Sequence, residues 1–230
     1  MNIDDYAIQL EQFEVASEKC GQPLPLRGPH LIPILDEDAP DHTGKELCWS
    51  YVLHCAWAAR MLAKNKPERH VDFGSYAYFA ALCSAFVPQF EFYDIRGLGF
   101  EVPSLHADTA DLMKLPFPDD SIESISCLHV LEHVGLGRYG DMIDPEGHLK
   151  AAKELERVLA PGGKLLIVLP MSQKPYVAFN AHRILSLGTV KKMFSSLTLQ
   201  DWFWLYDKKD HIILPFREDE EYTGCLEFSK

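Results

Sequence analysis

Residues 129–145, HVLEHVGLGRYGDMIDP, crowd two histidines, a glutamate, an arginine, a tyrosine and two aspartates into seventeen positions, together with three glycines. A histidine with a near-neutral pKa can take a proton from a reacting hydroxyl. The glycines predict a flexible loop that could close over a substrate. This composition therefore predicts a site for acid–base chemistry on a small polar molecule.

The catalytic candidates come from this loop and from a second polar cluster, FNAHRI (179–184). We expect His133 or His182 to act as the general base, and we assign Asp141 to the same catalytic group. Structural roles remain the alternative, because Glu132 and His133 could brace the loop instead. The residues predicted to contact the acceptor are Arg138, Tyr139, Asn180 and Arg183, although the last two could belong to a capped helix start with an exposed arginine.

A metal site is an alternative for the same loop, because His129, His133, Asp141 and Asp144 have side chains that can ligate metals. The first two would share a face only if the segment were helical, and its context is a strand running into a loop. Asp144, which precedes a proline, is better explained as a helix N-cap. We therefore predict no metal.

Hydrophobic patterning suggests which elements position these residues. Apolar runs such as RHVDF, SIESISCLHV and KLLIVLP indicate buried strands, and they alternate with helical patterns such as YFAALCSAF and PEGHLKAAKELERV. This alternation is typical of a parallel sheet covered on both faces. The tail differs, because LTLQDWFWLYD and EYTGCLEFSK follow the helical pattern RILSLGTVKKMF and predict an antiparallel pair. The fold class predicted is doubly wound α/β.

Acidic residues follow three consecutive strand candidates, at the edge where open α/β sheets bind ligands. Asp72 precedes a turn through Gly74 and Ser75, Asp94 follows FEFY, and Asp108 follows SLHA. An acid about twenty residues after a glycine turn is where a ribose diol is usually held. Each acid taken alone could equally be a turn or cap residue. Their order and spacing favour a nucleotide site, to which we also assign Ile95, Thr109 and His129.

This order resembles that of the class I S-adenosylmethionine-dependent methyltransferases, across roughly residues 48–230. The segments DLMKLPFPDDSIESISCLHVLEHV and LKAAKELERVLAPGGKLLIVLP are the most similar. The resemblance implies a Rossmann-like, mostly parallel sheet of seven strands with S-adenosylmethionine as cofactor. It also implies that Asp94 binds the ribose and that Asp108 meets the adenine.

The chain more narrowly resembles a branch of that superfamily built on a domain of unknown function. The matching pieces are HCAWAARMLAKNKPERHVDFGS, FYDIRGL, SISCLHVLEHVGLGRYGD and FNAHRI. One departure concerns the turn after the first strand, where Tyr76 and Tyr78 stand in place of the later glycines of the superfamily's motif. Those rings could redirect or block the methionine end of the cofactor, or stack on its sulfonium.

Composition and net charge argue against several classes of binding partner. The net charge of −12 argues against nucleic acid and anionic membranes, and no apolar run is long enough for a transmembrane helix. The six cysteines form no CxxC motif and the start is unlike a signal peptide, which favours a reduced cytoplasmic protein. We expect a small-molecule acceptor, and a homodimer is left open.

We divide the chain into an N-terminal extension, residues 1–45, that covers the domain and a methyltransferase-like α/β domain, residues 46–230. The extension contains a helix near 5–19 followed by a segment rich in proline and glycine, which we expect to lie over the cofactor cleft. The predicted function is methyl transfer to a small polar acceptor at oxygen, with a sugar or glycan precursor as one candidate. The alternatives are a catalytically silent binding or regulatory protein and an α/β enzyme that uses another nucleotide.

Overall fold

The computed structural model describes residues 3–21, 26–27, 49–205 and 221–230. Seven strands form the main sheet in the order β4-β3-β2-β5-β6-β10-β9. The first five run parallel, and β10 inserts antiparallel between β6 and β9. This arrangement confirms the predicted fold class, including the antiparallel C-terminal pair.

Helices and strands alternate along part of the chain, whereas β3, β4 and β5 follow one another directly, as do β6, β7 and β8. The helices are α1 (Ile3–Cys20), α2 (Trp49–Asn65), α3 (Ala77–Cys83), α4 (Gly147–Val158) and α5 (Leu187–Met193). The strands are β1 (Leu26–Arg27), β2 (Arg69–Phe73), β3 (Gln89–Asp94), β4 (Leu105–Thr109), β5 (Ile122–Leu128), β6 (Leu159–Met171), β7 (Tyr176–Ala178), β8 (His182–Ile184), β9 (Thr198–Leu205) and β10 (Tyr222–Ser229).

Two apolar layers cover the sheet. Strands β5 and β6 are almost wholly buried, as their continuous apolar sequences predict for central parallel strands. Helix α4 turns one apolar face to the core through Ala151, Leu155 and Val158, and its other face carries charge. Helices α2 and α3 supply the second layer, with Trp57 and Phe79 among its buried side chains. The parallel strands therefore end at one shared edge, where the candidate site lies.

A second, smaller sheet was not predicted from the sequence. It contains β1, β7 and β8; β7 pairs parallel with β1 and antiparallel with β8. The helix predicted over RILSLGTVKKMF (183–194) is therefore wrong at its start, because β8 takes its first residues and α5 begins at Leu187. The cluster FNAHRI becomes the turn and second strand of a hairpin, with Ala178 paired to His182.

Parts of the prediction lie outside the described residues. These are the proline-rich segment apart from β1, Cys48, and the charged loop 208–220 between the last two strands. The five cysteines within the described ranges, Cys20, Cys55, Cys83, Cys127 and Cys225, all carry free thiols. In the same ranges, no helix combines the length and the apolar character needed to cross a membrane.

Candidate active site

A cavity opens at the carboxyl ends of β2, β3 and β5, and encloses about 590 Å³ of space when its open mouth is counted. Its size is typical of a small-molecule site, and its place is where open α/β sheets bind ligands. Residues from five separate segments line it: Gly74, Tyr93, Asp94, Ile95, Arg96, Ala110, Asp111, Leu112, His129, Val130, His133, Val134, Tyr139 and Asp141.

The turn after β2 requires glycine at position 74. Gly74 has a φ of +66°, and a Cβ there would lie 3.2 Å from Val130 and 3.3 Å from the Asp94 carboxylate. A side chain would therefore be strained and would also press on the cavity wall. Tyr76 and Tyr78 do not line the cavity, and Tyr78 is 63% exposed. The tyrosines of this turn thus leave the cavity open.

Asp72 lies beneath the turn rather than in the cavity. It is fully buried, and its carboxylate accepts hydrogen bonds from the Ser75 amide at 3.2 Å, the Ser75 hydroxyl at 2.6 Å and the Ser126 hydroxyl. Ser75 in turn accepts the amide of Leu128 at 3.1 Å. Burial raises the pKa of Asp72 to about 7 despite these donors. The structure therefore gives Asp72 and Ser75 a bracing role for the turn, and neither residue lines the cavity.

Asp94 lines the cavity but already has a partner. Its carboxylate accepts the Arg96 amide at 2.8 Å and two guanidinium nitrogens of Arg96 at 3.0 and 3.2 Å. The Arg96 guanidinium also lies over the Tyr139 ring, 4.3 Å from its centroid, which is a cation–π distance. Arg96 was not predicted as a site residue, although an arginine two positions after a strand-end acid was a usable signal.

Asp108, the fourth residue of β4, does not line the cavity. Asp108 and Thr109 are exposed, and the Asp108 carboxylate accepts the neighbouring Thr109 amide at 2.7 Å. The cavity wall is built two residues later, by Ala110, Asp111 and Leu112. The three strand-end acids therefore do not converge, since only Asp94 lies on the cavity.

His129 follows β5 in a left-handed conformation, with a φ of +57°. This turn stacks its ring on Tyr51 of α2, at 4.8 Å and nearly parallel, and beside His54. Its Nδ1 lies 2.8 Å from the buried Glu132 carboxylate. Burial opposes the charge on Glu132, but His133 and His129 outweigh it and lower the pKa of Glu132. His129 and Glu132 thus form an ordered pair, of which His129 lines the cavity.

Asp141 holds the glycine loop, residues 135–140, through main-chain hydrogen bonds. Its carboxylate accepts the amides of Gly135 at 2.7 Å, Gly137 at 3.4 Å and Tyr139 at 3.2 Å. These bonds fix the loop in one conformation, because three main-chain donors converge on one side chain. Asp141 also lines the cavity, but its geometry favours loop support over its predicted catalytic role.

Arg183 supports the same loop from beneath. It is fully buried, and its guanidinium donates to the carbonyls of Val134 at 2.6 Å, Glu132 at 3.4 Å, Pro145 at 3.3 Å and Asp144 at 3.4 Å. Burial lowers the pKa of Arg183 to about 9. Arg183 does not line the cavity and is not exposed, so the structure removes it from the predicted acceptor contacts and from the alternative of an exposed arginine.

His133 joins the loop to the β7–β8 hairpin. Its Nδ1 lies 2.6 Å from the Ala181 carbonyl, and the Arg138 guanidinium donates to the same carbonyl at 3.0 Å. Its ring stands perpendicular to Tyr139, 5.5 Å between centroids. Burial lowers the pKa of His133 to about 4, so the ring is neutral at pH 7. The neutral His133 ring is one of the side chains that line the cavity.

The other hairpin residues lie behind His133. The His182 ring is 6.4 Å from the His133 ring, and burial lowers its pKa. Asn180 is 1% exposed, and neither of its side-chain amide atoms has a hydrogen-bond partner among the described residues. Neither residue lines the cavity. Helix α1 packs on this hairpin, where Tyr6 donates to the Phe179 carbonyl at 2.8 Å.

The described residues contain no cluster of side chains suited to bind a metal ion. Within residues 3–21, 26–27, 49–205 and 221–230, no group of three or more histidine, cysteine, aspartate or glutamate side chains could hold an ion. His129 and His133 both contact Glu132, but Asp141 and Asp144 are engaged with the loop and with Lys150.

Several solved structures have the same architecture over most of their length. A 1,6-didemethyltoxoflavin-N1-methyltransferase from Burkholderia thailandensis, with 1,6-didemethyltoxoflavin and S-adenosylhomocysteine bound, matches with a TM-score of 0.57 and 12% identity, over 100% of this chain and 91% of that one. An S-adenosylmethionine-dependent methyltransferase from Mesorhizobium loti matches at 0.51 and 14%, over 76% and 100%. The 4+2 cyclase SpnF matches at 0.57 and 13%, over 95% and 94%.

The chain has the class I methyltransferase fold. Identities of 12–14% extend this conclusion to the fold and no further. The cyclase illustrates the limit, since one fold supports unrelated chemistries and function must be argued from the site.

Sequence comparisons reach only parts of the chain. Residues 117–216 match the family model described as Caenorhabditis protein of unknown function, DUF268, which is less than half of the chain and includes the glycine loop and the hairpin. A stretch of 60 residues is 35% identical to an uncharacterized protein of Methanocaldococcus jannaschii. That match spans 26% of this chain and about a fifth, 21%, of its relative. The family-model match is consistent with the predicted branch of unknown function.

Proposed function

We propose that this chain is a cytoplasmic enzyme that transfers a methyl group from S-adenosylmethionine to an oxygen atom of a small polar acceptor. One observation carries the proposal: a glycine turn, a strand-end carboxylate and a buried neutral histidine line a single cavity. The first two are what a nucleoside needs, and the third is what a hydroxyl needs to lose its proton.

The residues present fit S-adenosylmethionine. A Cβ at position 74 would press on Val130 and Asp94 in the cavity wall. Because Gly74 has no side chain, a ligand in the cavity can approach the main chain there. The Asp94 carboxylate could accept ribose hydroxyls if Arg96 releases part of it. Ala110 and Leu112 offer apolar wall for a base. When bound, this cofactor would supply an electrophilic methyl group.

The chain's own residues would then position and deprotonate the acceptor. His133 carries its proton on Nδ1, because that nitrogen faces the Ala181 carbonyl, so Nε2 is left free to accept a proton. The Glu132 carboxylate, 3.8 Å from Nε2, would stabilise the imidazolium that forms. Arg138 and Tyr139, beside His133, would hold the acceptor, and such positioning can contribute about 7–11 kcal/mol in well-oriented reactions. A sugar or glycan precursor is one acceptor class to test.

A second candidate is a catalytically silent protein that keeps the fold for binding. The Arg96–Asp94 pair favours it, because the carboxylate expected to hold ribose is occupied by three donors of its own chain. In that case the cavity would accept another ligand, or S-adenosylmethionine without turnover.

Calorimetry separates the two. Titration with S-adenosylmethionine and S-adenosylhomocysteine should give saturable heats with micromolar affinity if the chain is a methyltransferase. Binding followed by no release of S-adenosylhomocysteine, across a panel of hydroxylated acceptors, would favour the silent protein. An absence of binding to either nucleoside would refute both methyl transfer and the cofactor assignment.

A further inference from the structure

A chain of hydrogen bonds runs through the interior of the sheet beneath the turn after β2. The Nδ1 atom of His70 lies 2.8 Å from the Ser124 hydroxyl, and its Nε2 atom lies 2.8 Å from the Ser126 hydroxyl. Ser126 bonds to Asp72, whose carboxylate also holds the amide and the hydroxyl of Ser75. All five residues are buried. The chain therefore connects the interior of β5 to the turn that borders the cavity.

The direction of each bond in this chain follows from the charge on Asp72. An ionised carboxylate only accepts, so the Ser126 hydroxyl gives its single hydrogen to Oδ1 of Asp72. The Ser126 oxygen is then an acceptor for the His70 ring, which must donate from Nε2. Burial lowers the pKa of His70 to about 3, so the ring is neutral and its Nδ1 atom accepts from Ser124. One ionised group thus orients the whole chain.

A proton taken up by Asp72 has a preferred position on the carboxyl group. Oδ2 faces the Ser75 amide at 3.2 Å, and an amide only donates, so Oδ2 remains the acceptor. The proton therefore belongs on Oδ1, between two hydroxyl oxygens. The Ser75 hydroxyl already accepts the Leu128 amide, which favours Ser126 as the new acceptor.

Protonation in this position reverses the chain. Oδ1 of Asp72 donates to Ser126, the Ser126 hydroxyl donates to Nε2 of His70, and Nδ1 carries the ring proton. The transfers balance. Ser124 receives a proton from water and passes its own to Nδ1, while Nε2 passes its proton to Ser126. Ser126 passes its former proton to Asp72, which alone changes its charge.

The groups around the chain leave this change to Asp72. Burial raises the pKa of Asp72 to about 7, and the charge of Asp94 on β3 raises it as well. The thiols that experience the charge of Asp72 are Cys55 on α2, Cys83 on α3 and Cys127 on β5. Burial raises the pKa of all three thiols, so they stay protonated at neutral pH. The ring that packs on His70 from β3 is the apolar Phe90.

We propose that this chain is a proton relay whose direction controls how firmly the turn of Gly74 and Ser75 is held for the nucleoside. In the ionised state Ser75 makes two charge-assisted bonds to Asp72, which are about twice as strong as bonds to a neutral carboxyl group. A nucleoside that packs on Gly74 therefore favours the ionised state and releases the proton. The choice of nucleoside rests on the proposed function, whereas the relay is a property of the folded chain.

Nuclear magnetic resonance of the ring nitrogens tests the relay in the protein without ligand. We expect His70 to carry its proton on Nδ1 at low pH and on Nε2 at high pH, and to stay neutral throughout. The midpoint should lie at about pH 7, where Asp72 titrates, and the Ser75 amide proton should shift with the same midpoint. A single tautomer on both sides of neutral pH would refute the relay. A Ser75 amide that does not follow the change would refute its link to the turn.

Asp72→Asn supplies a matched test, because its amide imitates the protonated carboxyl group. The amide oxygen can accept from the Ser75 main chain while the amide nitrogen donates to Ser126. His70 should therefore keep its proton on Nδ1 at every pH. Asp108→Asn, at an exposed acid outside the cavity, should preserve the pH-dependent change of tautomer. A change that persists in Asp72→Asn would refute the assignment of the proton to Asp72.

Calorimetry with S-adenosylhomocysteine tests the coupling to the nucleoside. Affinity should rise about tenfold as Asp72 ionises, because the ionised carboxylate holds the turn more strongly. By linkage, binding at neutral pH should release about 0.4 proton, which is measured from the heats in buffers of different ionisation enthalpy. Both effects should be absent from Asp72→Asn.

The two measurements separate this inference from the proposed function. Nucleoside binding that releases no proton in excess of Asp72→Asn would refute the coupling alone. Failure of the nucleoside to bind would end the methyltransferase proposal, and the ring nitrogens of His70 would still decide the relay.

Discussion

The two sides of the cavity are built by different kinds of contact. On the nucleotide side, Asp94 bonds to Arg96, two positions away, and Asp72 bonds both to Ser75 and to Ser126 of the neighbouring strand β5. On the acceptor side, Asp141 holds the glycine loop locally, and Arg183 holds it from the β7–β8 hairpin, 49 residues beyond the Val134 carbonyl that it bonds. The nucleotide side therefore depends on its own turn and on the main sheet, whereas the acceptor side also depends on docking of the hairpin. Five changes test this difference.

Gly135→Ala should have the largest effect on stability, because it adds a side chain inside the tightly packed glycine loop on the acceptor side. A Cβ at Gly135 would lie 2.0 Å from the Asp144 carbonyl oxygen, at a φ of +81°. Backbone strain and overpacking together should lower the free energy of unfolding by about 3–5 kcal/mol. Urea denaturation measures this loss. Gly140→Ala is the matched control, because its φ of +83° is similar but its Cβ would meet nothing within 4 Å, so it should cost about 1–2 kcal/mol. Equal losses would mean that the loop is not packed against Asp144.

Asp72→Asn should stabilise the protein increasingly as the pH rises. An unfolded aspartate loses its proton near pH 4, whereas burial raises the pKa of Asp72 to about 7. Between these values the folded state binds more protons, so wild-type stability falls as the pH rises. Asparagine does not titrate, so the free energy of unfolding of the variant lacks this pH dependence. The difference between the variant and the wild type should therefore grow by up to about 4 kcal/mol from pH 4 to pH 8. Denaturation at four pH values measures it, with the exposed Asp108→Asn as control. If the free energies of unfolding of Asp72→Asn and wild type changed in parallel with pH, burial would not raise the pKa of Asp72.

Asp94→Asn tests the nucleotide side itself. A ribose hydrogen bond to a charged carboxylate contributes about 1.5–3 kcal/mol, so affinity for S-adenosylhomocysteine should fall about 10- to 150-fold. Asp108→Asn should leave it unchanged, because Asp108 is exposed and lies off the cavity. A loss with Asp108→Asn and none with Asp94→Asn would exchange their roles.

Titration of His133 should show a midpoint near pH 4, since burial lowers its pKa. The ring is therefore neutral, and able to accept a proton, throughout the range from pH 5 to pH 8. Glu132→Gln should lower the midpoint further, because the carboxylate's charge favours the imidazolium. Resonances of the ring protons measure both values. A midpoint near that of a free histidine, about 6.5, would show that the hairpin does not bury this ring.

Arg96→Met should have the smallest effect on stability, below about 1 kcal/mol, because the Arg96 side chain is 57% exposed. If Arg96 competes with ribose for Asp94, the variant should bind S-adenosylhomocysteine a few-fold more tightly. Arg69→Met is the control, since Arg69 forms a similar pair with Glu91 at the other end of β3. Weaker binding by Arg96→Met alone would mean that Arg96 contacts the ligand instead.

The sequence was sufficient for the fold and for part of the site. The strand–helix alternation and the antiparallel tail are confirmed, because buried parallel strands and amphipathic helices have distinct periodicities. Gly74, Asp94, Ile95, His129, His133, Tyr139 and Asp141 come together at one cavity, although their roles stay predictions. These positions could be predicted because the carboxyl ends of parallel strands lie together at one edge of the sheet.

The orientation of each side chain could not be predicted. Asp72 and Asp108 lie near the carboxyl ends of their strands, as Asp94 does, yet Asp72 is buried beneath the turn after β2 and Asp108 is exposed. Arg183 looked like an exposed residue of a helix start, because the hairpin that buries it depends on strand pairing between distant segments. Local patterns carry no record of such pairing.

The Ala181 carbonyl accepts from both His133 and Arg138, so one oxygen of the hairpin orients two side chains of the glycine loop. Helix α1 bonds the same hairpin at Phe179, two residues earlier. The amino-terminal helix is therefore joined through a single turn to the histidine ring that lines the cavity.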